Sequence, residues 1–236
     1  VIIGTAEVLL PYGPIEDLAN LLIPMAERAS VPVVVHLDHG LKEETCRQAL
    51  DLGFSSIMYD CSTMEYEANI EHVKRMAETA HACGASIEAE LGHVGDNGGE
   101  DPSLFYTDSA QARDFIERTG ADALAIAVGT AHGAYKLPPK LDFNRIAEIA
   151  ENIPTPLVLH GGSGLSDSDF RTAVERGISK VNIFTDINQA CARAAALGYR
   201  EGMGLTDIIL PEIEAVKQSV MEKMRLFGSV GRGSER

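Results

Sequence analysis

Three histidines close apolar, β-branched runs: His39 ends VPVVVHLDH, His132 ends ADALAIAVGTAH and His160 ends TPLVLH. Strand ends gathered on one rim would bring these distant imidazoles together, and three neutral imidazoles with an open fourth position describe a catalytic zinc site. Asp38 precedes His39. Adjacent side chains at an extended strand end point to different sides, so this dipeptide offers a metal ligand and an acid/base group together. The competing reading is that Asp38 caps a helix starting near Glu43. His132 lies in GTAHG and His160 in HGGSG, where glycine lets backbone come close to a ligand.

A second constellation follows the last two strand-like runs. Glycine-rich turns and hydroxyls at the ends of a barrel's final strands form a phosphate cradle, which makes Gly161, Gly162, Ser163, Asn182 and Thr185 candidate donors. Lys136, four residues beyond His132, is a candidate cationic partner for the phosphate. In IEAELGHVGDNGGEDP, Glu88 and Glu90 are two apart and share one side of a strand. Carboxylates facing a barrel interior need a cation or hydrogen bonds, and Glu90, nearer the rim, is the candidate metal or substrate contact. The segment from Gly92 to Asp101 has the composition of a lid, able to bring Glu100 or Asp101 into the site as a proton-abstracting carboxylate. His36 is expected to pack or bond inside the barrel. His72, His81 and His93 are expected to be solvated or structural.

The elements that must position these residues alternate along the whole chain. Strand-like VIIGT, VPVVVHLD, SSIMYD, ASIEAEL, ADALAIAVGT, TPLVLH and SKVNIFT are each followed by a helix-like run, giving seven βα units. The strand-like runs read as continuously apolar, the pattern of parallel strands covered on both faces. Gly53, Gly84, Gly120 and Gly177 sit where helices should end. An α/β fold of the (β/α)8 TIM-barrel type is expected, as a single domain over 1–236 with its first βα unit upstream of Val1. The rival, a doubly wound open sheet, lacks any G-x-G-x-x-G after a strand. A further amphipathic helix spans Thr206 to Arg225, suited to a subunit contact or to the mouth of the site.

The chain has 236 residues, is 45% hydrophobic and carries a net charge of −15. That charge disfavours nucleic acid and anionic lipid as partners. Four cysteines without a C-x-x-C pair suit a reducing compartment, so a cytoplasmic location is expected. No run has the length of a membrane span.

In order and approximate spacing, HLDHG, DCS, EAELGHVG, GTAHGAYK, VLHGGSG and KVNIFTD resemble the class II, zinc-dependent ketose-bisphosphate aldolases, over essentially the whole chain. The resemblance implies a TIM barrel with zinc at His39, His132 and His160, and with Asp38 as proton donor. It places Gly133, the HGGSG turn and the NIFT segment at a dihydroxyacetone-phosphate site. Zinc would be the electron sink, with room for an accompanying monovalent cation. Glu100 or Asp101 would exchange the C3 proton, and Asn182 would hydrogen-bond the enediolate. A homodimer or homotetramer is implied. Phe184 departs from the pattern: fructose-bisphosphate aldolases usually read N-x-D-T, and tagatose enzymes have alanine there. Lysine Schiff-base chemistry is not expected, because no lysine is read within an interior strand at a matching place. Two rivals are a zinc hydrolase on the same barrel and a non-catalytic barrel subunit.

Overall fold

The computed structural model describes residues 1–94, 106–131 and 139–234. Strands and helices alternate as β1 (Ile2–Ala6), α1 (Ile15–Glu27), β2 (Val34–Gly40), α2 (Glu43–Asp51), β3 (Ser56–Tyr59), α3 (Tyr66–Ala82), β4 (Ser86–Leu91) and α4 (Ser109–Thr119). They continue as β5 (Ala123–Ile126), α5 (Phe143–Asn152), β6 (Leu157–Leu159), α6 (Asp167–Glu175), β7 (Ile178–Val181), α7 (Thr185–Gly198) and α8 (Leu205–Leu226). Helix starts follow local chemistry. Asp108 accepts the Ala110 and Gln111 N–H groups ahead of α4, and Ser166 and Asp169 form a capping box at α6. The four helix-ending glycines all take positive φ.

Every strand pairs in parallel with its sequence neighbour, in the order β1 to β7. In a flat sheet β2 and β7 would lie about 24 Å apart, at roughly 4.8 Å per strand spacing. Instead Asn182, just past β7, donates a hydrogen bond to Asp38 on β2 at 2.7 Å. The sheet is therefore curled into a barrel wall, bringing its strand ends onto one rim.

The strands are less uniform than their sequences suggest. Leu37, Ile57, Ile87, Leu124, Leu157 and Ile178 face outward into one apolar core under the helices. Their neighbours His36, Ser56 and Glu88 occupy the alternate, inner positions, and a register shift of β7 against β6, between Leu157 and Val158, brings Lys180 to the same side to meet Glu88. The continuously apolar reading thus holds for β5 and β6, whereas β2 and β4 alternate, because the inner face serves a polar site.

β2 ends irregularly. Its register against β3 shifts between Leu37 and Gly40, and His39 takes φ +43. A bulge re-aims side chains, so Asp38 and His39 do not simply alternate. Capping by Asp38 is also excluded. α2 starts after Lys42, and the Leu41 and Lys42 N–H groups donate to the Glu7 carboxylate at 2.6 and 3.1 Å.

Candidate metal centre and active site

His39 and His160 come from the ends of β2 and β6. The Nδ1–H of His39 donates to Asp60 Oδ2 at 2.7 Å, and the Nε2–H of His160 donates to Glu88 Oε1 at 2.8 Å. Ionised carboxylates only accept hydrogen bonds, so each one fixes its imidazole's proton on the outward nitrogen. The remaining nitrogens, His39 Nε2 and His160 Nδ1, then face each other at 2.8 Å. Two facing ring lone pairs are accommodated by a shared cation, a proton on one ring or a metal ion bound by both. The pKa of His39 carries the same message. Burial opposes its charge, but Asp60, Asp38 and Glu90 outweigh burial and lift it to about 9.

The carboxylates are poised to stay ionised. Burial penalises Asp60, yet bonds from His39 and Ser62 bring it down to about 2. Glu88 is wholly buried, but Lys180 and His160 hold it well below the usual carboxylate range. Glu90 differs. Burial, reinforced by Asp60, pushes it up to about 7, and its Oε2 has no hydrogen-bond partner among the described residues. His39, Asp60 and Glu90 present ligand atoms within 4.8 Å of one another, as do Asp38, His39 and His160. A facing nitrogen pair and an orphaned buried carboxylate oxygen both suit a metal ion.

Asp38 completes the rim. Its Oδ1 accepts from Asn182 Nδ2, whose own Oδ1 accepts from Lys180 Nζ at 2.6 Å. Gly161 and Gly162 turn the chain after β6. At Gly161, φ is +66 and a Cβ would lie 2.4 Å from the Ala131 carbonyl oxygen, so only glycine fits. That packing seats the residue before His132 against the turn that follows His160. Ser163 Oγ accepts the Asp186 N–H at 3.3 Å, and Thr185 opens α7.

Of the residues singled out from sequence, Asp38, His39, Glu90, His160, Gly161, Gly162, Ser163, Asn182 and Thr185 therefore lie at the ends of β2, β4, β6 and β7. Glu100, Asp101, His132, Gly133 and Lys136 lie outside the described residues. His36 is buried against Ser56 Oγ at 2.8 Å, and burial lowers its pKa to about 4. His72 and His81 bond on the surface with Arg75 and Asp122. His93 belongs to the site's edge, 3.1 Å from Ser62 Oγ and 3.8 Å from Glu90 Oε1.

A family model described as class II fructose-bisphosphate aldolase matches residues 1–232. The chain belongs to that family. It is 40% identical to the Escherichia coli K12 protein YdjI over 220 residues, covering 92% of this chain and 78% of that one. It is 38% identical to the fructose-bisphosphate aldolase of Thermus caldophilus over 269 residues, covering 98% of this chain and 86% of that one. Among solved structures, the YdjI aldolase superposes with a TM-score of 0.89 at 36% identity, covering 99% of this chain and 83% of that one. This class II aldolase is accordingly an aldehyde-lyase on a TIM-barrel-type fold.

Asp60 and Lys180 lie within the DCS and KVNIFTD segments but carry no assigned role in the sequence, and His93, expected to be solvated or structural, stands instead at the edge of this aldolase's site. Asp60 ends SSIMYD, where its partner on another strand could not be seen. Lys180 corrects the expectation of no interior lysine. It stands on β7 with its side chain 14% exposed, and its Nζ is 2.8 Å from Glu88 Oε2. An ammonium engaged by a carboxylate is not a free nucleophilic amine, so Schiff-base chemistry remains disfavoured. The available signal was a lone cation in the short strand SKVN, two residues before Asn182 and complementary to Glu88 in ASIEAEL.

Proposed function

We propose that this chain binds zinc through His39, His132 and His160 and reversibly cleaves a ketose bisphosphate, with fructose 1,6-bisphosphate as the preferred candidate, to dihydroxyacetone phosphate and an aldehyde. The observation that carries the reading is the opposed nitrogen pair of His39 and His160, each backed by an ionised carboxylate. When bound, zinc supplies electron withdrawal at the ketose carbonyl as the C3–C4 bond breaks. Asp38 takes the C4 hydroxyl proton in cleavage and returns it to the aldehyde oxygen in condensation. Asn182 holds the Asp38 carboxylate in place. Glu100 or Asp101 moves the proton at C3. Gly133, Gly161, Gly162, Ser163 and Thr185 seat the phosphate by backbone amides and hydroxyls, with Lys136 as countercharge. Glu90 and Asp60 hold an accompanying cation beside His39.

The same reading carries a cytoplasmic enzyme acting on a small sugar phosphate, with neither nucleic acid nor membrane as partner. No helix among the described residues is long and apolar enough to cross a membrane. A homodimer or homotetramer is supported by exposed Leu197, Leu205, Leu210 and Ile213 on the α7–α8 hairpin. Phe184, exposed at the N-cap of α7 and two residues past Asn182, is the first residue to examine for the choice of aldehyde.

The test is glyceraldehyde-3-phosphate release from fructose and tagatose bisphosphates, with chelator and with zinc restored. Zinc-restored release from either sugar supports the reading, and the rates rank the sugars. Absence of release from both by the zinc-loaded protein overturns the assigned substrates and turns attention to Phe184.

A further inference from the structure

An amide has two ends that look alike in shape and differ in chemistry. Rotating the Asn182 side chain by half a turn would exchange its NH2 donor for its carbonyl oxygen, and the terminal torsion itself has little preference between the two. With the oxygen turned toward Asp38, two acceptors would face each other. The Asp38 carboxylate resists that flip from one end of the amide, and a group that can only donate would fix it from the other end.

Lys180 does so by its chemistry. Its ammonium donates only, and it lies 2.6 Å from Asn182 Oδ1, leaving the NH2 group to reach Asp38 Oδ1 at 2.7 Å. Lys180 is fixed in turn by Glu88 Oε2 at 2.8 Å, while the other oxygen of Glu88 takes the His160 Nε2–H. One chain of hydrogen bonds thus runs from His160 through Glu88, Lys180 and Asn182 to Asp38. We propose that Lys180 is a positioning residue that sets the orientation of the Asn182 amide and, through it, the Asp38 carboxylate. The proposal rests on the aldolase reading for what Asp38 does, but the clamp itself belongs to the protein without substrate or metal.

The alternative role, neutralising buried Glu88, predicts different behaviour. In the zinc-loaded enzyme with fructose 1,6-bisphosphate, Lys180→Met is expected to lower kcat about 10- to 100-fold, as misplacement of a reacting group does, with KM little changed and zinc content intact. Combined with Asn182→Ala it should cost at most about twofold more than Asn182→Ala alone, since residues acting through one another are not additive. Full additivity overturns the proposal. If Lys180→Met fails to fold because Glu88 loses its countercharge, Glu88→Gln/Lys180→Met is compared with Glu88→Gln. A further fall in kcat sustains the proposal, and equal kcat overturns it. The second readout needs no activity. In the metal-free protein, the Asn182 side-chain NH2 proton signals should move toward solvent-exposed values in Lys180→Met, and unmoved signals overturn the clamp. A wild type inactive on both ketose bisphosphates would fail the functional reading, with the amide signals still deciding the role of Lys180.

Discussion

The two faces of the curled sheet use the same strands and hold together by different physics. On the outer face, Leu37, Ile57, Ile87, Leu124 and Leu157 pack under the helices, where burial is non-directional and worth about 25 cal/mol per Å². On the inner face, Glu88, His160, Lys180, Asn182 and Asp38 each depend on a partner from another strand. Outer-face residues are individually replaceable by others of similar volume. Removing a fully buried inner-face residue such as Glu88 leaves polar partners unpaired, whereas loss of Asp38, 22% exposed at the rim, leaves Asn182 within reach of water. Stability and chemistry are in this way assigned to alternate residues of the same strands.

That division can be broken or sharpened by measurement. The largest effect is expected from Asp38→Ala, which should reduce turnover by about a hundred- to ten-thousand-fold, the usual scale of a lost general acid–base group. Zinc stoichiometry and the melting curve should stay near wild type, and normal turnover would remove Asp38 from its assigned role. Phe115→Ala is the outer-face counterpart. This fully buried ring on α4 packs beside Tyr66, and its loss should cost about 3–5 kcal/mol in urea unfolding, with kcat per folded molecule retained. A fall in kcat with unchanged stability would contradict the division. Asp60→Asn should weaken zinc binding about 10- to 100-fold in competition with a chelator, because Asp60 orients His39. The smallest effect is expected at the α6 capping box: Ser166→Ala should cost about 1 kcal/mol of stability and nothing in zinc affinity.

The outer face was largely legible in the sequence. Apolar strands, helix-stopping glycines and the βα period all report local physics that one segment carries by itself. The inner face was legible only where a residue type announced its chemistry. His39, His160, Glu90, Asn182 and the HGGSG turn could be named from sequence, because imidazoles, carboxylates and glycine turns at strand ends have few other uses. Asp60 and Lys180 could not, since each acquires its role from residues on other strands, Asp60 from His39 and Lys180 from Glu88. The β2 bulge was also hidden, and an extended strand end was the natural expectation for HLDHG.

That irregularity at His39 bears on how such a chain can change over generations. Because side chains alternate, gaining or losing one residue within a strand would exchange its two faces, moving apolar groups into the site and ionic groups under the helices. β2 already contains one such offset, confined between Leu37 and Gly40, where it presents Asp38 and His39 together. Length variation is therefore expected in the connections beyond the strand ends, where insertions leave the alternation intact. New substrates should be reached by altering those connections, with the ionic face carried forward unchanged.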